Sequence, residues 1–207
     1  MPRLSCMRPG FLRRWIVVVT AGEAVGFAVP AVVGALLFDE SALILVPALL
    51  SAGAIEGALL GAAQWWVLTS EQPALAWTRW VGLTAAGAVA AYAIGLLPST
   101  FWETWSAWPP VVQVPLFVVL GLALLCSIGT AQWLELRHHV DHARRWIVGT
   151  AAAWAVALVV FVAISTPLWQ EGQSLGLRIA IGLVAGLVMA VTMAAVTGRV
   201  MLGLLRG

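Results

Sequence analysis

The chain has 207 residues, of which 62% are hydrophobic and only 10% charged, and its formal net charge is +2. A soluble domain carries about 25% charged residues, so this chain lacks the polar side chains to cover a globular surface. An ordinary soluble fold, a disordered chain, a collagen and a disulfide scaffold are all excluded, as the mean hydropathy of +0.98 also requires.

In chain order, six apolar runs are long enough to cross hydrocarbon at about 20 residues per crossing: 15–38, 42–68, 80–97, 111–134, 146–168 and 179–205. The first follows an arginine-containing segment, as a signal peptide would. It is too long for such a segment and lacks a small-x-small cleavage site, so a retained span is expected. Only short polar connectors separate the runs. The expected fold is therefore all-α: one polytopic transmembrane domain of six helices.

Orientation follows from arginine, because short cytoplasmic loops keep basic residues. Arg3, Arg8, Arg13 and Arg14 precede the first run, Arg79 lies between runs two and three, and Arg137, Arg144 and Arg145 lie between four and five. Arg199 and Arg206 close the chain, and all of these fall on one side of a six-span arrangement. The opposite loops hold Asp39, Glu40, Glu103 and Glu171, with Arg178 as the exception. Both termini are expected in the cytoplasm. All-arginine basicity with abundant Ala, Gly, Val and Leu points to a high-GC bacterial genome, and hence to a bacterial plasma membrane.

Tryptophan supports the same frame, since indoles favour the headgroup level. Trp15, Trp65, Trp66, Trp77, Trp80, Trp133 and Trp146 fall at the inner boundary, Trp102, Trp105, Trp108 and Trp169 at the outer one, and Trp154 at depth. Residues 98–110 space four aromatics between prolines, which predicts a short interfacial helix serving as an aromatic anchor.

The odd-numbered helices open alike: Arg14-Trp15 leads to Thr20-Ala21, Arg79-Trp80 to Thr84-Ala85, and Arg145-Trp146 to Thr150-Ala151. Helices two and four close alike, with Gly61-Ala62-Ala63-Gln64-Trp65 and Gly129-Thr130-Ala131-Gln132-Trp133. Helix six has Met193 where a glutamine would fall. Three parallel-repeat helical hairpins are expected, at about 12–70, 77–137 and 144–206. The G-x-x-Q-W close followed by the R-W opening resembles a loose class of uncharacterised bacterial multi-pass membrane proteins built from this hairpin. That class brings no activity, so the resemblance implies no catalytic residue.

Small residues at every fourth position make flat helix faces on which another backbone can lie. Gly53, Gly57 and Gly61 form such a stripe, continued by Gln64, and Gly121, Gly129 and Gln132 share a face in the same way. Helix packing is their expected role, with the two glutamines hydrogen-bonding across neighbouring helices.

Glu23 and Glu56 are the ionisable residues nearest mid-depth. Helix rise puts them about 12 Å beyond Trp15 and about 15 Å from Trp66, at matching levels on consecutive helices. A carboxyl group in hydrocarbon is costly and is by default a candidate site for a proton or cation; the alternative is a neutral acid held by structural hydrogen bonds. With no embedded Arg, Lys or His, the neutral acid is expected, with the two glutamates close together.

His138 and His142 would share a face if the loop 137–145 were helical, beside His139 and Asp141. Flanking Arg137, Arg144 and Arg145 suit lipid headgroups better than a metal, so no metal is expected. No P-loop, G-x-S-x-G, H-E-x-x-H or G-x-G-x-x-G is present, and no span contains a histidine for haem. No enzymatic activity, cofactor or nucleic-acid partner is expected. Two functions fit: an accessory or scaffold protein that packs within the bilayer, with another membrane protein or with itself, or a proton- or cation-coupled transporter or channel using Glu23 and Glu56.

Overall fold

In hydrocarbon a backbone N–H has no water to bond and must find a carbonyl within its own segment. Long runs of Ala, Leu, Val and Gly therefore fold here as helices. The computed structural model describes residues 10–206; Arg3 and Arg8 of the charge argument lie outside them. The elements are α1 (Phe11–Leu36), α2 (Ala42–Leu68), α3 (Trp77–Thr100), α4 (Trp102–Ser106), α5 (Pro110–Leu136), α6 (Arg144–Leu168) and α7 (Leu175–Arg206). All but the five-residue α4 are long and apolar enough to cross a membrane, and the described residues include no strand. The chain is an all-α polytopic membrane protein.

The six long helices form a ring in chain order: α1 packs on α2, α2 on α3, α3 on α5, α5 on α6, α6 on α7, and α7 returns to α1. One end of the ring, here the arginine end, carries the start of α1, α3 and α6 and the finish of α2, α5 and α7. The other, here the α4 end, carries α4 and the remaining turns. Pro30, Pro47, Pro98, Pro115 and Pro167, the prolines inside helices, all lie toward the α4 end. Each removes one ladder hydrogen bond, which weakens the helix there. In α2 the Ser51 hydroxyl donates to the Pro47 carbonyl at 2.8 Å, the usual bond of a helical serine to the carbonyl four residues back.

The short helix expected within 98–110 is narrower than its prolines suggest, because α3 continues through Pro98. α4 exposes Trp102, and Trp105 stacks between Phe101 and Trp108 with its edge on Phe117.

Three of the tryptophans at the arginine-end level turn into the bundle instead of outward. Trp15, Trp80 and Trp146 are each 0% exposed and belong to the core, whereas Trp66 and Trp77 face outward. The ring has room for indoles at its centre near the arginine end, and polar side chains there take two of the N–H groups.

Candidate functional site

Glu23 sits on the inward face of α1 and is completely buried; Glu56, on α2, is 7% exposed. Gly26, one turn beyond Glu23, lets the two helices close up: a Cβ there would stand 3.1 Å from the Glu56 Cα and 3.3 Å from its Cγ. The two carboxyl groups come within hydrogen-bonding reach of each other. On the other side of Glu56, the Tyr92 hydroxyl of α3 donates to Oε2 at 2.6 Å. Gly53 makes this possible, because a Cβ on it would collide with the Tyr92 ring.

No N–H or O–H among the described residues donates to either Glu23 oxygen. The carboxyl of Glu56 is what faces them. Two carboxylates this close in apolar surroundings repel, so the pair is held together only by a proton or a bound cation.

The pair and Tyr92 line a cavity of about 340 Å³ at the centre of the ring. Every long helix contributes to it, with Phe27, Leu60, Leu124, Ile128, Trp154 and Met189 among its apolar walls. Its floor toward the arginine end is buried at Leu60, Ala88 and Ile128, while Gly95 at the opposite rim is exposed. The lining is thus less buried toward the α4 end. Its volume and few polar groups are those of a small-molecule site.

Below the floor lies a polar layer. Gln132 donates through Nε2 to Gln64 Oε1 at 2.6 Å and to the Thr84 hydroxyl at 2.9 Å, and its Oε1 accepts from Trp146 Nε1 at 2.8 Å. Thr84 passes its own proton to the Trp80 carbonyl at 2.7 Å. Trp15 Nε1 donates to the Thr197 hydroxyl at 3.1 Å, and Trp15 meets Trp146 edge-on. The polar partner on α7 is thus Thr197, one turn past Met193, the position at which the sequence pattern expects it.

The stripe glycines lie at backbone approaches near this layer. A Cβ on Gly57 would stand 2.6 Å from Ala88 Cβ and 2.9 Å from Ala85 Cα, and one on Gly61 3.1 Å from Val81 Cα. At Gly129 it would be 3.1 Å from Ile147 Cα. Gly121 is a correction: a Cβ there meets nothing within 4 Å, because the α4-end half of α5 stands clear of its neighbours.

The arginine-end surface carries a separate cluster. Glu135 is buried and pairs with Arg79 Nε at 3.2 Å and His139 Nε2 at 3.1 Å, tying α5 to α3. Residues 137–143 form turns, with His142 in the left-handed region, so His138 and His142 are not set on one helical face. Arg137 and Arg144 lie over the Trp133 ring.

Sequence reasoning overlooked Tyr92, Thr197 and the pairing of Glu135. Tyr92 had a usable signal: it is the one tyrosine in the chain and shares the face of Thr84 and Ala88, so its hydroxyl needed a partner at depth. No family model, curated protein or solved structure matches the chain.

Proposed function

We propose that this is a small bacterial plasma-membrane transport protein in which Glu23 and Glu56 carry a proton or cation at the base of a central cavity. The observation that carries this reading is the meeting of the two carboxyls, with Tyr92 bound to one, in a cavity ringed by all six spans. Carboxyls meant only to pack would cost less as glutamines, which hydrogen-bond without desolvating a charge. With arginines on the cytoplasmic side, both termini are cytoplasmic and the cavity opens outward. The Gln132 layer is then the closed inner barrier, and the three hairpins supply one helix pair each.

The accessory or scaffold reading rests on the close backbone approaches at Gly57, Gly61 and Gly129. It gives the carboxyl pair a structural role only. Liposomes carrying the protein and an internal pH-sensitive dye separate the two. An imposed proton gradient should dissipate faster with wild type than with Glu23→Gln or Glu56→Gln, while both variants stay folded. Equal rates in all three would favour the accessory role.

A further inference from the structure

We propose that the cavity takes a lipophilic ammonium ion, whose N–H group is received by Glu56 and which displaces one proton from the Glu23–Glu56 pair. This rests on the transport reading and names its cargo.

Four observations narrow the class. Both Glu23 oxygens are fully buried behind the more exposed Glu56 and receive no donor from the described residues, so the pair has no N–H group of the protein to hold a charge on it. Its polar groups are two carboxyls and a tyrosine hydroxyl already spent on Glu56, a set with no cationic group to hold an anion. Hard metal ions need six or more oxygens, and the remaining walls are hydrocarbon and aromatic carbon. Those walls include Phe27, Tyr92 and Trp154, faces that attract an organic cation and cover its apolar body.

The exchange balances. Two facing carboxylic acids are neutral together. When R–NH3+ binds, one O–H bond breaks, its proton leaves to the water at the α4 end, and the carboxylate formed accepts the ammonium N–H groups. The charge of the site is unchanged, so the apolar walls never enclose a net charge.

The test uses the full chain in a nonionic detergent, titrated calorimetrically with 2-phenylethylammonium and, as a neutral isostere, 2-phenylethanol. Runs in phosphate and in HEPES, which differ in ionisation heat, count the protons released. We expect the ammonium to bind at least about tenfold more tightly than the alcohol and to release one proton, with affinity falling about tenfold per unit drop in pH. Glu23→Gln combined with Glu56→Gln, which leaves no carboxyl in the site, should abolish proton release. Leu158→Trp, which fills the cavity wall and leaves both carboxyls in place, should abolish binding even if the glutamine variant folds poorly. Equal binding of the alcohol, absence of ammonium binding, or ammonium binding indifferent to Leu158→Trp overturns the proposal. If ammonium fails to bind but wild-type liposomes still conduct protons through Glu23, the cargo is wrong and the transport reading stands. If the glutamates also prove irrelevant to proton flux, both fall.

Discussion

The two halves of this bundle are fastened differently. Toward the arginine end, a Cβ added to the stripe glycines Gly57, Gly61 or Gly129 would run into the backbone of a neighbouring helix, whereas toward the α4 end one on Gly53 or Gly186 would meet the ring of Tyr92 or Phe27 and one on Gly121 nothing within 4 Å. The arginine-end half also holds the Gln132 layer and three buried indoles, while the α4-end half holds the helix prolines and the cavity. Lipid tails are as apolar as leucine, so helices associate through close packing and interhelical hydrogen bonds rather than by expelling water. A bundle can then be fastened at one end and left hollow at the other. That division is what a site opening to one face requires.

Gly57→Leu is the hardest blow to the fastened half. Its side chain would have to displace α3 at Ala85 and Ala88, which are backbone-borne and cannot swing away. A loss of about 3 kcal/mol or more is expected, seen as a much lower melting temperature in detergent and a poor monodisperse yield. A melting curve matching wild type would mean that α2 and α3 do not approach as described.

Gln132→Leu attacks the same half through its hydrogen bonds. Single interhelical bonds in membrane proteins average only about 0.6 kcal/mol, with a maximum near 1.7. Gln132 makes three, and its loss strands the buried Trp146 N–H and the Gln64 carbonyl. The expected cost is about 2 kcal/mol, read as a smaller fall in melting temperature than for Gly57→Leu. Gln64→Leu removes one of these bonds and should cost less.

The fastened half was the more legible in the sequence. The spacing of Gly57, Gly61 and Gln64 on one helix, and of Gly129 and Gln132 on another, marks faces that must meet something, and the matching depth of Glu23 and Glu56 follows from helix rise alone. What spacing does not carry is the identity of the facing partner. Gly121 has the same periodicity as Gly129, yet helix divergence leaves it open. Trp15, Trp80 and Trp146 have a belt-like position along the chain, but the direction of each indole depends on where the ring closes, and closure between α1 and α7 is a long-range property. Tyr92 reaches Glu56 only because Gly53, one turn earlier on the same helix as Glu56, leaves space for its ring.

At the boundary between the halves, Tyr92→Phe removes one hydroxyl and leaves the cavity shape intact. Loss of its bond to Glu56 should cost about 1 kcal/mol. The sharper readout is infrared: the carboxyl C=O stretch assigned by Glu56→Gln should shift on loss of the tyrosine donor. Gly53→Ala should produce the same spectral change by pushing the ring aside, with the hydroxyl still present. No shift in either variant would remove Tyr92 from the site.

The smallest effect is expected at Gly121→Leu. On periodicity alone it should match Gly57→Leu, since both replace a glycine on a small-residue face of a long span. The structure separates them, because at Gly121 an added Cβ meets no protein atom within 4 Å, and leucine is also the better helix former by up to about 1 kcal/mol. Overpacking is then absent, and the remaining contributions are helix propensity, which favours the variant, and contact with lipid tails, which is close to neutral. The melting temperature should stay at or slightly above wild type, within about 0.5 kcal/mol. A loss approaching that of Gly57→Leu would show that the α4-end half of α5 packs against a neighbour, closing the cavity's flank and erasing the contrast between the halves.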